Sequence, residues 1–205
     1  MTATVLEVSD LACRRGGRRV FEGLSFAVAK GELLALTGRN GSGKTTLLRA
    51  LALMVPVRAG AILWQGTDVR TDREDWRGML AWLGHQDGLK GDLTSAENIT
   101  FAERLRGRSA EPGRIERALA AFDLIRLADR AVRTLSAGQR RRVALARVVA
   151  SQASVWLLDE PLNALDAPAQ EALHEVLSSH LASGGIAIAA THAPLQAART
   201  LELAA

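Results

Sequence analysis

Nine consecutive residues, Gly38-Arg39-Asn40-Gly41-Ser42-Gly43-Lys44-Thr45-Thr46, carry the densest chemistry in the chain. Glycines let successive backbone N–H groups curl inward around an anion. Lys44 supplies a point charge, and Thr45 a hydroxyl able to ligate Mg²⁺. The apolar run Leu33-Leu34-Ala35-Leu36 precedes this stretch, and the helix-forming run Leu47-Leu48-Arg49-Ala50-Leu51 follows it. Strand, glycine-rich loop and helix, in that order, fit the pattern G-x-x-x-x-G-K-[ST], with Gly38, Gly43, Lys44 and Thr45 in the fixed places. A helix starting near Lys44 points its free N–H groups and its positive dipole end at the same anion. The expected ligand is a nucleotide polyphosphate. The plain alternative is a glycine-rich turn that binds nothing. Lysine usage argues against that alternative: the chain has three lysines, Lys30, Lys44 and Lys90, amid abundant arginine.

Further along, Val155-Trp156-Leu157-Leu158 runs into Asp159-Glu160. A continuous apolar run suits a strand buried on both faces. At the end of such a strand a carboxylate can join a Mg²⁺ shell, which fits Asp159, while Glu160 is placed to polarise a water near the γ-phosphate. Without a nucleotide the pair would cap the following turn. Gln86 ends another strand-like run, Leu80-Ala81-Trp82-Leu83-Gly84, and offers a neutral amide to the metal or the attacking water. His192 follows the apolar run Gly185–Ala190 and Thr191, at a strand end of the kind where α/β proteins bind ligands. Alone it would read as a structural histidine. Leu135-Ser136-Ala137-Gly138-Gln139 opens a helix carrying Arg140-Arg141-Arg142. A hydroxyl, backbone N–H groups and a helix N-terminus make a second anion site there. One chain has one phosphate loop, so a second γ-phosphate binder points to a partner subunit.

The elements that must position these groups alternate along the chain. Residues 4–37 read as antiparallel strands, with Val5–Val8 and Val20–Val28 as the apolar runs and a turn at Ala29–Glu32. The helix after Thr45 ends near Met54, before Pro56. Ala61–Trp64 is a strand followed by a turn, and Asp72–Arg77 a short helix. From about Gly88 to Val149 the character turns helical: Thr94 opens a capping box before a helix to Arg106, a second helix spans 112–122, and a third runs from Ala137 to Ala150. The sheet then resumes, with Ala167–Leu181 and Pro194–Leu203 read as helices. The alternation implies an α/β core with a parallel sheet.

Bulk properties narrow the field. The chain has 205 residues, 48% of them hydrophobic, which suits one domain with a substantial core. No apolar stretch reaches the roughly 18 residues of a membrane span, and no charged-then-apolar secretory leader is visible. A single cysteine, Cys13, forms no disulfide framework, and the cytosol is the natural compartment. The net charge of +4 arises from dispersed arginines, with clusters at Arg14-Arg15, Arg18-Arg19 and Arg140–Arg142. These read as ordinary solvated faces.

Taken together, the motifs resemble the nucleotide-binding domain of ABC transporters, in that family's order: Walker A at 38–45, the Q-loop Gln86, the signature at 135–139, Walker B at 155–159 followed by Glu160, the D-loop Ala164-Leu165-Asp166, and the switch His192. The resemblance covers nearly the whole chain. It implies an α/β P-loop NTPase fold with a RecA-like parallel-sheet core, N-terminal antiparallel strands and an inserted helical subdomain at about 88–150, all in one domain over 1–205. ATP and Mg²⁺ are the implied cofactors, with Gly38 to Thr46 and a partner's Ser136, Gly138, Gln139 and Asp166 around the nucleotide. Thr45, Gln86 and Asp159 would surround the metal, and Glu160, His192 and Gln86 the hydrolysed bond. The implied partners are a second copy of the ATPase and integral membrane permease subunits, at the cytoplasmic face of the inner membrane.

Within the family the chain looks most like the ATPase subunit of the cytochrome c maturation, or haem exporter, complex. The softer features are Ile62-Leu63-Trp64-Gln65-Gly66, Gly84-His85-Gln86-Asp87-Gly88-Leu89-Lys90, an alanine in the signature, and an arginine-rich N-terminal segment. Another small exporter's ATPase is the competing reading. A soluble ABC ATPase acting on DNA or ribosomes fits less well, because the stretch from Gln86 to Leu135 is too short for a long coiled coil and there is one ATPase domain. A non-catalytic module is disfavoured by Glu160 and His192. No nucleic acid is expected, and no direct haem binding, since Cys13 lacks a haem-attachment context.

Two departures stand out. Ala137 replaces the signature's usual glycine, and the aromatic residue that usually stacks on adenine is missing from a chain with no tyrosine. Its place falls near Arg14-Arg15, where a guanidinium would stack less strongly. Base–aromatic stacking is worth about 1–3 kcal/mol. ATP and GTP should therefore differ less than about tenfold in affinity, or roughly 1.4 kcal/mol. Competition binding would check this, and a strong ATP preference would mean that another group reads the base.

Overall fold

The computed structural model describes residues 3–16 and 18–203, with the side chains of Arg15 and Arg18 outside the description. Strands β1 (Thr4–Arg15) and β2 (Arg18–Ala29) form an antiparallel pair. Strand β3 (Leu33–Thr37) leads through the glycine loop into helix α1 (Lys44–Leu51). Strands β4 (Ala59–Trp64) and β5 (Thr67–Asp68), helix α2 (Arg73–Met79) and strand β6 (Leu80–Leu83) follow. Three helices come next: α3 (Ser95–Leu105), α4 (Pro112–Ala120) and α5 (Ala137–Ala150). The chain closes with β7 (Val155–Asp159), α6 (Ala167–Ala182), β8 (Ile186–Ala190) and β9 (Arg199–Glu202). Among the described residues, no helix is long and apolar enough to cross a membrane.

The strands make two sheets. One is antiparallel, in the order β2-β1-β4-β5, and the other is parallel, in the order β6-β7-β8-β3-β9. Residues 33–37 therefore belong to the parallel sheet and not, as their sequence neighbourhood suggested, to the antiparallel one. The N-terminal strands are also longer than their apolar runs. Gly60, at φ +88, bends β4 against β1 where the register slips between Ser9 and Ala12; a Cβ there would collide with the carbonyl oxygens of Ser9 and Asp10.

Side chains alternate across the parallel sheet, as the pleat demands. Val155 and Leu157 of β7 pack toward α1, with Leu47, Leu48 and Leu51, and toward the antiparallel sheet through Leu6, Val8 and Ile62. Trp156 and Leu158 pack on the opposite side with Val143 and Leu145 of α5 and Leu173 and Leu177 of α6. Both faces are covered, so the strands are apolar throughout. The capping box that opens α3 forms as the sequence indicates: Thr94 accepts from Glu97 N–H at 3.2 Å, and the Glu97 carboxylate accepts from Thr94 N–H at 2.8 Å.

One element differs in kind. The expected helix over Pro194–Leu203 is instead a loop followed by β9. Ala197 has φ +56, which interrupts a helix. Arg199 to Glu202 pair with Leu34 to Thr37, and Leu203 N–H donates to Thr37 O at 2.9 Å. The local helix propensity is overridden by the open edge of β3, whose N–H and C=O groups need partners.

The last turn of helix α6 carries His180, whose ring stacks on Trp156 with centroids 4.0 Å apart and planes 9° from parallel. Its Nε2 lies 3.0 Å from Ile186 O. Burial lowers the His180 pKa from its ordinary value of 6.5, only partly offset by that hydrogen bond. The unfolded chain then takes up the proton first. His180 thus contributes stability above about pH 6.5, and this contribution is lost as pH falls toward and through the depressed value. Thermal unfolding at about pH 7.5 and about pH 5.5 should show a smaller acid-induced drop in Tm for His180→Gln than for the wild type.

Candidate active site

Four neighbouring strands of the parallel sheet deliver chemistry to one edge. Strand β3 ends just before Gly38, β7 at Asp159, β8 just before Thr191-His192, and β6 just before Gly84-His85-Gln86. The carboxyl ends of parallel strands are where α/β proteins bind ligands, because the loops there are free of the sheet's own hydrogen bonds.

The glycine loop is built for an anion. Gly38, Gly41 and Gly43 have φ of 129°, 87° and 100°. A Cβ on Gly38 would stand 2.5 Å from Leu203 O, and one on Gly43 would stand 2.6 Å from Val20 Cγ1. Gly43 caps α1 without any side-chain hydrogen bond, and Leu47 N–H is the first of the helix to reach back, to Gly43 O at 2.8 Å. The N–H groups before it point out of the helix end. Ser42 is buried, and its hydroxyl has no partner among the described residues. Lys44, 7% exposed, folds its ammonium back onto Gly38 O at 2.8 Å and Arg39 O at 3.3 Å.

Opposite Lys44 stand the strand-end groups. Thr45 Oγ1 donates to both oxygens of Asp159, at 3.0 and 3.1 Å. Asp159 is 3% exposed, and among the described residues no basic side chain forms an ion pair with it. A buried carboxylate without a cation calls for one. Hydroxyl and carboxylate oxygens, completed by phosphate and water, are the donor set of Mg²⁺. The residues therefore fit that ion. His192 Nε2 lies 3.4 Å from Lys44 Nζ and 3.5 Å from Glu160 Oε1, so one ring nitrogen bridges the ammonium and the carboxylate. With the proton on Nδ1 it accepts from Lys44; with the proton on Nε2 it donates to Glu160.

The resulting cleft, of about 480 Å³, is lined by Asn40, Gly41, Gly43, Lys44, Thr45 and Thr46 with Asp159, Glu160 and His192. Val20, Arg49 and His85 also line it, and sequence reasoning had missed these three. Arg49 could have been found, since it lies one helical turn beyond Thr45. Val20 and His85 carry no such signal. Gln86 is exposed and does not line the cleft; its neighbour His85 does. Arg14 lies on a separate cleft in the antiparallel sheet, of about 950 Å³, with Arg19, Phe21 and Arg58 also on its walls. The Arg15 side chain, the other candidate for stacking on the base, lies outside the described residues.

The second anion site is a second cleft, of about 260 Å³, lined by Ser136, Gly138, Gln139, Arg142, Ala164, Leu165, Asp166 and Ala169. None of these lines the phosphate-loop cleft of the same chain. Ser136 caps α5, accepting from Gln139 N–H at 3.2 Å, while the Gln139 amide oxygen accepts from Ser136 N–H at 2.9 Å. Gln139 is thereby committed to shaping the helix start. Gly138 abuts the D-loop, where a Cβ would stand 2.8 Å from Ala164 O. Asp166 caps α6 through a 3.1 Å bond from Ala169 N–H.

Arg140–Arg142 is not a solvated cluster. Each of the three arginines donates to a backbone carbonyl, and Arg141 is only 4% exposed. The sequence disguises this, because charge runs on helices usually face water.

The fold and this edge of the sheet define a nucleotide-binding ATPase, and the chain belongs to the ABC transporter family, whose profile matches residues 21–163. It binds nucleotide and hydrolyses ATP. Among its relatives is the cytochrome c biogenesis ATP-binding export protein CcmA 2 of Cupriavidus metallidurans, 45% identical over 197 residues, spanning 96% of this chain and 93% of the relative. The CcmA protein of Escherichia coli O157:H7 is 42% identical over 196 residues, with 96% and 93% covered. Of solved structures, an ABC transporter ATP-binding subunit superposes with a TM-score of 0.82 at 28% identity, over 92% of this chain and 80% of that one. An ABC transporter ATP-binding protein from Pyrococcus furiosus shares the fold at a TM-score of 0.84 and 23% identity, over 97% and 96% of the two chains.

Lys44→Ala removes the ammonium that folds onto the loop carbonyls. Nucleotide affinity should fall by at least about tenfold while Tm without nucleotide changes little, since a hydrogen bond to a charged donor is worth roughly 1.5–3 kcal/mol. Titration with a fluorescent ATP analogue would check the first, and thermal unfolding the second.

Proposed function

We propose that this chain is the ATP-hydrolysing subunit of a membrane ABC complex in cytochrome c biogenesis, and that it powers haem export or the release of a haem-loaded chaperone. The catalytic unit is a dimer of two copies, with each ATP held between the phosphate loop of one and the Ser136–Gln139 cleft of the other. The observation that carries this reading is the separation of the two clefts, which share no lining residue within one chain. The pathway rests on the relatives, which carry the cytochrome c biogenesis name over nearly their full length.

In this reading Gly38 to Thr46, including Arg39, Asn40 and Ser42, cradle the phosphates, and Lys44 neutralises them. Thr45 and Asp159 would hold Mg²⁺, which would offset phosphate charge, with Gln86 reaching in from its exposed position. Glu160 polarises the attacking water, and His192 contacts the γ-phosphate. Ser136, Gly138, Gln139 and Asp166 act on the partner's nucleotide. The helical region around α3 and α4 docks on integral membrane subunits at the cytoplasmic face of the inner membrane.

Glu160→Gln tests the reading. The variant should bind ATP, lose turnover by at least about 10²-fold, as expected when a general base is removed, and elute as a dimer with ATP. Introduced in place of the wild-type copy in the host cell, it should abolish holo-cytochrome c on haem-stained gels. Normal turnover would overturn the catalytic assignment. Lost turnover with normal cytochrome c would move the chain to another exporter.

A further inference from the structure

We propose that Arg141 is a positioning residue for hydrolysis. It holds the Glu160 peptide in the one conformation that presents its carboxylate to the cleft, and it ties that peptide to α5 and to the segment after β6. The proposal rests on the assignment of Glu160 as the carboxylate that activates water.

From α5, the Arg141 guanidinium reaches two segments far apart in sequence. One terminal nitrogen donates to Gly84 O at 2.9 Å and to Asp87 Oδ1 at 3.1 Å. The other donates to Asp159 O at 2.7 Å and to Glu160 O at 2.6 Å. A planar fork with several donors can do this, whereas an amide or an ammonium cannot reach all four acceptors at once.

Glu160 needs such a hold. Its φ is +49, in the left-handed region that a non-glycine residue seldom occupies. Such conformations persist where the surroundings over-determine them. Here the Glu160 N–H donates to Ala190 O at 2.8 Å, at the end of β8, and its carbonyl accepts from Arg141 at 2.6 Å and from Asn163 N–H at 3.2 Å. The peptide is thus clamped from β8 on one side and from α5 on the other. Between the clamps the side chain reaches His192 at 3.5 Å. Without Arg141 the carbonyl would keep only the longer bond from Asn163 N–H, the residue would be freer to relax to negative φ, and the carboxylate would swing away from the cleft.

The cost of the arrangement argues that it is specific. Arg141 is 4% exposed, and its Nε is buried without a partner. Its one ion-pair partner among the described residues, Asp87, lies in the segment after β6. Satisfying carbonyls alone does not require a buried full charge. A consequence follows for the dimer. Arg141 lies on the same continuous helix that Ser136 caps. The helix that touches the partner's nucleotide is therefore the helix that holds this chain's Glu160.

The test uses the full chain carrying Arg141→Gln and, to keep the buried charge and protect folding, Arg141→Lys. Thermal unfolding, ATP affinity without hydrolysis, kcat and KM are measured for both. The expected result is ATP affinity and KM within about threefold of wild type, with kcat down by about 10–100-fold in Arg141→Gln, the size of effect that a misplacement of about 1 Å causes. Arg141→Lys should recover part of that loss. A folded Arg141→Gln or Arg141→Lys with wild-type kcat overturns the proposal, as does a loss of kcat matched by an equal loss of ATP affinity. The two readings fail differently. If Glu160→Gln retains turnover, the assignment of Glu160 falls; if Glu160→Gln is inactive and the Arg141 variants are fully active, only the role of Arg141 falls.

Discussion

A parallel sheet ends its strands on one edge, and the chemistry of this protein hangs from that edge. Gly38 and His192 are distant in sequence, yet β3 and β8 are adjacent strands and their ends are neighbours. Pairing of β7 with β8 brings Asp159 beside Ala190, and pairing of β6 with β7 brings Leu83 beside Leu158. Once the register is set by burial of alternate side chains, the positions of Lys44, Asp159, Glu160 and His192 follow. A slip of one residue would turn Trp156 and Leu158 toward α1 and destroy both halves of the core.

That edge also collects what a folded chain normally avoids. Among the described residues, the N-terminus of α1 has no side-chain cap, the Ser42 hydroxyl has no partner, no basic side chain pairs with buried Asp159, and Glu160 is held at positive φ. Elsewhere such features lower stability. Here they are complementary to one ligand class, a polyphosphate with a divalent cation. The rest of the chain is conventional by comparison, with capping boxes at α3 and α5 and an apolar core on both faces of the parallel sheet.

Helix α5 joins the two halves of the chemistry. Its N-terminus forms the Ser136 cleft, and Arg141 grips the ends of β6 and β7. Further along, Arg147 donates to Asp87 O at 2.9 Å and to Gly88 O at 2.8 Å. Burial lowers the Arg147 pKa from its usual value, but arginine keeps its charge at any physiological pH. The segment that carries Gln86 is thus fastened to the signature helix at two points.

The sequence by itself determined the elements with strong local codes. The glycine loop, the Thr94 capping box, the helix start at Ser136, and the apolar runs of β7 and β8 depend on neighbours three or four residues away, so pattern suffices to find them. The family's ordered motifs added the residues around the nucleotide. The tertiary structure decided the rest. Residues 199–202 became a strand because the edge of β3 lacked partners, although their own propensity and Pro194 suggested a helix. Val20 and His85 reached the cleft because β2 begins and β6 ends beside it, which no local spacing records. Arg141 looked like one of three solvated charges. Its acceptors are 18 or more positions away in sequence, and a hydrogen bond across that separation exists only once β6, β7 and α5 have packed.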